Sequence, residues 1–370
     1  MSELPLGIGS IAFILVYLLT LLGVGWVARR SRRDGSLGDY YLGGRNMGLP
    51  VLMLTLFATQ YSGNALFGFT GQAYRAGFVW LAIVHSMIAV VAGYLLFAPQ
   101  LQRLSRQHGF VTANDFIEHR FPSKPLSALI ALCLMVVLIN YVLAQLKVMG
   151  LVVEGLTGGA VDAIWGVLLL VLIMMVYSTM GGLRSVAWTD VLQGGMMLLG
   201  FVLIAVIIQR DMGGWGPAFS QLQTAAPEKL LPPDGRGAVR WLSTVVLIGL
   251  GASVYPQAIQ RIYAARSDKT LRQSLAGMAV LPLFAVVVVL ALGFIAIGRY
   301  PGLEGSAADQ VMALIMRDVL ATGWFGHVVV TLLLGAILAA LMSTADSALL
   351  SLSSLFAKDV YRKYWRDSAD

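Results

Sequence analysis

The sequence predicts an all-α membrane protein, on the strength of its composition and of the spacing of its apolar stretches. Of the 370 residues, 58% are hydrophobic and 12% are charged, whereas a soluble domain has about 25% charged residues. Stretches long enough to cross the hydrocarbon core of a bilayer as a helix, which takes about 20 residues, recur along the whole chain. This composition excludes a water-soluble globular protein.

The apolar stretches predict about nine membrane spans in one transmembrane domain that covers residues 1–370. In order, the predicted spans are residues 5–28, 47–72, 78–101, 125–153, 160–180, 188–209, 240–263, 273–298 and 323–350. The first is expected to be a peripheral helix. The long connections are 102–124, 210–239 and 299–322, so most neighbouring spans are joined by short turns.

The positive charges predict the topology of these spans. The net charge is +7, but Lys and Arg lie in short clusters between apolar stretches, as in "RRSRR" at 29–33, which indicates membrane topology and not a nucleic-acid partner. With the N-terminus outside, the inner segments hold most of these residues, among them Arg29, Arg30, Arg103, Arg106, Arg261 and Arg266. The positive-inside rule therefore predicts an outer N-terminus and a cytoplasmic C-terminus, and we expect a multi-pass protein of a bacterial inner membrane.

The second span, "TLFATQYSGNALFGFTGQAY" at 55–74, is interrupted by polar and flexible residues at 59–64. Irregular backbone at membrane depth is tolerated only where it is buried in protein or lines a watery cavity. Gly63 permits unwinding, and the freed carbonyl groups of Ala58 and Tyr61 are candidate cation ligands. The alternative is a polar contact between two helices, with Gly63 and Ser62 as small interface residues.

The seventh span, "LIGLGASVYPQAIQRIYAAR" at 247–266, contains a second interruption. Gly249, Gly251 and Ser253 loosen the helix, and Pro256 lacks a backbone donor. Two broken helices are typical of transporters that bind ions and solutes near the midplane of the membrane.

The ninth span contains a cluster of hydroxyl groups, Ser343, Thr344 and Ser347, together with Asp346. Ser343 and Ser347 share one helical face. Hydroxyl and carbonyl oxygens suit a hard cation, and few carboxylates lie in the spans to relay a proton, so sodium is the expected ion. The alternative is ordinary hydrogen bonding between helices.

Four stretches resemble the sodium/solute symporter family, which includes transporters of proline, pantothenate, sialic acid and sugars. They are "YYLGGRNMGLP" at 40–50, "GFVTANDFIEHRF" at 109–121, "YSTMGGLRSVAWTDVLQGGMM" at 177–197 and "AALMSTADSALLSLSS" at 339–354. The resemblance implies two inverted groups of five helices, the five-plus-five transporter fold with discontinuous helices. The first repeat would cover 47–209, and 240–370 would form a second repeat that is incomplete.

The resemblance also implies ion sites. The family's sodium site falls on the backbone of Ala58 and Tyr61 and on Ala340, Ser343 and Thr344. Some members bind a second sodium, which here would fall on Asp190, Asp346 and Ser347. Asp346 stands where those members have a hydroxyl, and Asp190 has an alternative role as a cap at the start of its helix.

The candidate solute-binding residues are the polar residues of the two breaks and of the fourth span. They are Gln60, Ser62, Gly63 and Asn64, then Asn140 and Gln145, then Ser253, Tyr255 and Gln257. Their uncharged character favours a small organic solute of the amino acid or carboxylate class. Gln60 stands where the family's proline transporters carry an aspartate, which argues against proline.

The resemblance implies sodium-coupled symport of such a solute by alternating access, with sodium as the coupling ion and no other cofactor. An enzyme is not expected, because the four histidines form no metal-ligand pattern and no Ser/His/Asp set occurs at a plausible depth. Two alternatives stay open from the sequence: a sensory membrane module of a signalling protein, and an inactive, shortened transporter.

Overall fold

The computed structural model describes residues 8–32, 35–157, 159–211 and 213–365. Within them the chain is helical throughout, apart from turns and one isolated bridge. The helices are α1 (Ile8–Arg30), α2 (Leu37–Leu42), α3 (Leu49–Gln60), α4 (Gly63–Ala76), α5 (Ala82–His108), α6 (Ala113–Arg120), α7 (Lys124–Leu156), α8 (Ala163–Gly181), α9 (Leu183–Asp211), α10 (Trp215–Ala225), α11 (Gly235–Ser253), α12 (Pro256–Ala264), α13 (Asp268–Arg299), α14 (Val311–Leu320) and α15 (Trp324–Leu355). Residues 5–7 of the first predicted span and the side chain of Asn64 lie outside this description.

The helices agree with an all-α membrane protein of about nine spans. Seven helical stretches of the described residues are long and apolar enough to cross a membrane, and the bent pair α11–α12 makes eight. One of the seven, Ala65–His108, has 44 residues and would be about 66 Å long as a single helix, twice the hydrocarbon thickness. It contains the turn at Gly77, so α4 with α3 forms one span and α5 another.

The turn at Gly77 requires glycine. Its φ of +56° lies in the left-handed region, and a Cβ at this position would lie 2.3 Å from the carbonyl oxygen of Lys229. A side chain would therefore clash with the loop that covers the outer ends of α4 and α5.

The structure corrects two sequence-based interpretations. α9 begins at Leu183, five residues before the predicted start of the sixth span, so Asp190 lies in the third turn of the helix. The alternative role of Asp190 as a cap at the start of this helix is therefore wrong. Arg261, which was counted with the cations of an inner loop, lies in α12 with none of its surface exposed. A guanidinium group inside a span needs partners there.

α15 is the central helix of the molecule. Nearly every residue between Val329 and Ser351 is buried, and the helix packs against α3, α4, α7, α9 and α12. A helix that other helices enclose in this way does not face lipid. Hydroxyl groups on α15 must therefore find partners within the protein.

The inner parts of the two broken spans are joined to each other. We call the side on which α1, α5 and α15 end the inner side. There the Met47 amide donates to the Ala264 carbonyl at 3.1 Å, and the Arg266 amide donates to the Met47 carbonyl at 3.0 Å. The Arg106 guanidinium at the end of α5 also donates to the carbonyl groups of Ala265 and Arg266. α3 and α12 are thus anchored side by side.

Candidate functional site

The first break lies between α3 and α4, where Tyr61 and Ser62 adopt extended conformations. Because α3 ends at Gln60, the carbonyl groups of its last turn lose the amide partners that a continuous helix would supply. Gly63 then brings the backbone against α15, since a Cβ on Gly63 would lie 2.5 Å from the side chain of Leu341. The break therefore faces α15 at close range.

Two hydroxyl groups of α15 meet the freed carbonyl groups. Ser343 Oγ lies 3.1 Å from the Ala58 carbonyl oxygen and 3.2 Å from that of Ala340. Thr344 Oγ1 lies 3.5 Å from the Ala58 oxygen and 3.4 Å from the Tyr61 oxygen. All five residues are at most 2% exposed. The structure thus brings together every residue of the first predicted sodium site.

The spacing of these oxygen atoms suits a cation. Oxygens that surround a calcium-sized ion at about 2.4 Å, at right angles to one another, are about 3.4 Å apart. The observed separations of 3.1–3.5 Å fall around this value. The donor set is neutral, with three carbonyl groups and two hydroxyl groups, so it fits a monovalent ion better than a divalent one.

The predicted second ion site contains a side chain that the sequence analysis did not assign to it. Asp190 and Ser347 are both fully buried, and the Arg261 guanidinium joins them: Nη2 lies 3.0 Å from Asp190 Oδ2 and 2.5 Å from Ser347 Oγ. Asp346 lies further around α15 and accepts a hydrogen bond from the Tyr177 hydroxyl at 2.5 Å. The positive charge beside Asp190 and Ser347 therefore belongs to the protein itself.

Arg261 also reaches both broken spans. Its Nε donates to Thr55 Oγ1 in α3 at 2.9 Å, and its Nη1 donates to the Gln257 carbonyl in α12 at 3.0 Å. Thr55 in turn donates to the Asp190 carboxylate. The sequence contains a signal for this pairing. Arg261 is followed by the apolar residues 262–265 and so lies before the end of its span, where a charge must be paired.

The second break lies between α11 and α12, whose axes differ by 51°. Pro256 is the first residue of α12 and has no amide hydrogen, so it cannot bond the Ala252 carbonyl group. The Tyr255 amide donates to that oxygen at 3.4 Å, and Gln60 Nε2 and the Tyr94 hydroxyl lie 3.3 Å and 3.4 Å from it. A side chain of the first break therefore contacts a carbonyl group of the second.

Three of the candidate solute-binding residues line one cavity. Asn140, Tyr255 and Gln257 line an open cavity of about 210 Å³ together with Tyr141, whose ring makes an edge contact with that of Tyr255 at 5.7 Å. The Gln257 amide oxygen is buried and has no hydrogen-bond partner within the described residues. The cavity thus has amide and phenol groups and no charged group in its lining.

The other candidates lie elsewhere. Ser253 is buried, donates to the Leu250 carbonyl at 2.8 Å and packs against Gly93 of α5, so it does not line the cavity. Gln145 is buried on α7, more than one turn beyond Asn140. Ser62 is half-buried at the first break, and Gly63 serves close packing with α15.

Comparisons with known proteins show the family of this chain. The profile of the Sodium:solute symporter family matches residues 40–370. A sodium/proline symporter of Staphylococcus aureus is 30% identical over 361 residues, which cover 94% of this chain and 67% of the relative. An osmoregulated proline transporter of Bacillus subtilis is 29% identical, with coverage of 96% and 71%, and a sodium/pantothenate symporter of Haemophilus influenzae is 28% identical, with coverage of 96% and 73%.

A solved structure shows the same fold. It is that of a Na+-coupled sialic acid symporter in a substrate-bound outward-open state, with a TM-score of 0.78 and 22% identity over 98% of this chain and 76% of the other. The family and the relatives are transporters and not enzymes, and they do not favour the sensory alternative. This multi-pass membrane protein belongs to the sodium:solute symporter family.

Proposed function

We propose that the chain binds one sodium ion between the Ala58, Tyr61 and Ala340 carbonyl oxygens and the Ser343 and Thr344 hydroxyl groups, and that this ion drives solute uptake. The observation that carries the proposal is the distance of 3.1–3.5 Å between both hydroxyls and the carbonyls of the first break. An ion held there joins α3 to α15 and so favours one arrangement of the two helices.

The solute is proposed to bind in the cavity at the second break. Its volume of about 210 Å³ is below the roughly 300 Å³ at which pockets for drug-sized ligands begin, so a solute of few heavy atoms fits. Amide and phenol groups can pair with a carboxylate and an amino group, which supports the amino acid or carboxylate class. The names of the relatives support the same class, although Gln60 stands where the family's proline transporters carry an aspartate.

Coupling between the two sites is proposed to pass through Gln60. This residue follows the sodium-binding carbonyl of Ala58 by two positions and contacts Ala252 at the second break. Sodium binding should therefore raise the affinity for the solute, and the solute should raise the affinity for sodium by the same factor. The protein then exposes both sites to the inner side by alternating access.

The proposed location is a bacterial inner membrane, with the N-terminus outside and the C-terminus in the cytoplasm, because the Lys and Arg residues are concentrated in the inner segments. The lipid bilayer, sodium and a small organic solute are the proposed partners, and no nucleic acid is expected. A second sodium at Asp190, Asp346 and Ser347 stays a prediction, and Arg261 competes with it for Asp190 and Ser347.

The experiment compares two pairs of substitutions in purified protein. Ser343→Ala with Thr344→Ala removes both hydroxyl ligands. The matched control is Ser243→Ala with Thr244→Ala on α11, where both hydroxyls bond only carbonyls of their own helix. We expect sodium to raise the melting temperature of the wild type and the control and to have no effect on the site variant, because only a bound ion stabilises the folded state by linkage.

Uptake into proteoliposomes provides the second measurement. Solutes that raise the melting temperature in the presence of sodium are tested for accumulation under an inward sodium gradient. Accumulation that persists without sodium, or in the Ser343→Ala, Thr344→Ala variant, would refute the proposal.

A further inference from the structure

A row of buried hydroxyl groups runs along α15 from the proposed sodium site toward the inner side. Its members are Ser343, Ser347, Ser351 and Ser354, which share one helical face because they are spaced by four, four and three residues. Each is at most 1% exposed. The row covers about 16 Å at the helical rise of 1.5 Å per residue and ends one residue before the end of α15.

The short helix α12 covers this row. Gln260 Nε2 donates to Ser354 Oγ at 2.7 Å, and the Ser351 hydroxyl donates to Gln260 Oε1. Arg261 Nη2 donates to Ser347 Oγ at 2.5 Å, and Ser347 lies 3.3 Å from the hydroxyl of Thr59 in α3. Every hydroxyl below the sodium site therefore contacts a side chain of α12.

One buried oxygen atom beside the row, Asp190 Oδ1, has no hydrogen-bond partner within the described residues. A buried carboxylate oxygen without a hydrogen-bond donor is costly, and Arg261 occupies only the other oxygen of Asp190. This atom can replace a water ligand around a cation that passes Ser347. Structural hydrogen bonding alone does not account for an unpaired oxygen on this carboxylate.

We propose that the row of hydroxyl groups is the route by which sodium leaves its site toward the inner side, and that Arg261 and Gln260 close it. This inference rests on the proposed function. The oxygens along the route can replace the hydration shell of the ion, while the fixed charge of Arg261 at Ser347 repels a cation, as arginine residues do in selective pores. Sodium release therefore requires α12 to move away from α15.

The second break provides the means for this movement. α12 follows directly after the bend at residues 254–255, and Gln257 lines the proposed solute cavity while its carbonyl accepts from Arg261 Nη1. A change in the cavity is thereby transmitted to the guanidinium group of Arg261, which lies about one helical turn after Gln257. Arg261 is thus a positioning residue that links the solute cavity to the sodium route.

The test measures access to the route from the inner side. Cys133 is the single cysteine and is replaced by alanine, and Ser351→Cys then provides a unique thiol on the route. Inside-out vesicles are treated with a charged, water-soluble thiol reagent in the absence of sodium. Arg261→Gln should raise the modification rate of Cys at position 351 by about tenfold or more, because hydrogen bonds from a charged donor that hold the route closed are lost.

Two further variants separate closure from a general loss of structure. Arg261→Gln combined with Asp190→Asn removes both charges of the buried Arg261–Asp190 pair and should react as fast as Arg261→Gln alone. Arg272→Gln removes an exposed arginine whose described partner is Asp268, and should leave the rate unchanged. Arg261→Lys keeps the charge but cannot form the same set of contacts, so an intermediate rate is expected.

The result that would refute this inference differs from the result that would refute the proposed function. An unchanged rate in both Arg261→Gln variants, in protein that elutes as a single species and still gains thermal stability from sodium, would overturn the inference and leave sodium binding intact. Absence of sodium stabilisation in the wild type would instead refute the proposed function, whatever the modification rates are.

Discussion

The break after Gln60 and the break after Ser253 differ in what packs against their freed carbonyl groups. At the first break, α15 presents the hydroxyls of Ser343 and Thr344 to the carbonyls of Ala58 and Tyr61. At the second, the side chains that contact the Ala252 carbonyl are those of Gln60 and Tyr94, and Tyr255 and Gln257, which follow in the chain, line a cavity of about 210 Å³.

This difference shows that the break in a helix does not by itself determine which ligand binds there. Both breaks contain small residues and polar residues, and both free backbone carbonyl groups. The first becomes a proposed ion site because a buried helix with hydroxyl groups lies across from it. The second becomes a proposed solute site because amide and aromatic side chains leave room between α7 and α12.

The largest effect should come from Gly63→Ala at the first break. The new Cβ would lie 2.5 Å from the buried side chain of Leu341, so the break must move away from α15. Overpacking of this kind costs about 1–3 kcal/mol, and we expect the sodium concentration for half-maximal stabilisation to rise about tenfold or more.

The matching change in the second broken span is Gly251→Ala. No atom lies within 4 Å of a Cβ at this position, so sodium stabilisation should be unchanged. Equal losses of sodium stabilisation in Gly63→Ala and Gly251→Ala would contradict the difference between the breaks.

At the second break, Asn140→Ala and Gln257→Ala should weaken solute binding and leave sodium binding in the absence of solute unaltered. Loss of one hydrogen bond to a charged solute group corresponds to about 1.5–3 kcal/mol, or about tenfold or more in the half-saturation concentration. The measurement is uptake against solute concentration at saturating sodium. Gln273→Ala on the exposed side of α13 is the control, and a loss of sodium binding in Asn140→Ala would argue against separate sites.

A smaller effect is expected from Pro256→Ala, which tests the link between the breaks. Alanine restores an amide hydrogen that competes with Gln60 and Tyr94 for the Ala252 carbonyl. We expect each site to keep its own affinity. The factor by which sodium raises the affinity for the solute should fall about two- to tenfold, which corresponds to the net free energy of one hydrogen bond. Calorimetric titration of solute with and without sodium measures this factor, and an unchanged factor would exclude the Gln60 link.

The smallest effect should come from a charged cluster that contacts neither break. On the outer side Arg299 and Tyr300 donate to the Asp318 carboxylate. Burial alone would raise the pKa of Asp318, but the hydrogen bonds from Tyr300 and Arg299 outweigh it and lower this pKa. The stabilisation is therefore present above the unfolded-state pKa and is lost as the pH falls through the lower folded-state value, at and below about pH 4.

Arg299→Gln should remove part of this pH-dependent stabilisation, because the hydrogen bond from Tyr300 to Asp318 stays. Since the pair is partly exposed, the free energy of unfolding should fall by only about 0.2–1 kcal/mol at neutral pH, with sodium and solute binding unchanged. Thermal unfolding at several pH values checks this, and a change in sodium affinity would show that the outer cluster is coupled to the breaks.

The sequence was sufficient for the fold class and for the set of residues that meet at the first proposed ion site, because both depend on local signals. Long apolar stretches must be helical in lipid, and polar residues within a stretch mark a break. Ser343 and Thr344 could be paired with Ala58 and Tyr61 from the chemistry of hard cations and from the resemblance to a family. The structure then brought these residues into contact.

The environment of Arg261 could not be predicted in the same way. The positive-inside rule treats an arginine near the end of a span as a loop residue, and the partners of Arg261 come from α3, α9 and α15, far away in sequence. Which polar residues of a break share a cavity also depends on the rotation of each helix. Ser253 and Tyr255 are two residues apart, yet only Tyr255 lines the cavity.

The most direct measurement of the central claim is a high-resolution structure of the protein in saturating sodium. We predict density for one ion about 2.4 Å from the carbonyl oxygens of Ala58 and Tyr61 and from the hydroxyls of Ser343 and Thr344, absent when sodium is replaced by a large organic cation. Ion density at another place, with the Ser343 and Thr344 hydroxyls still bonded only to protein oxygens, would contradict the account.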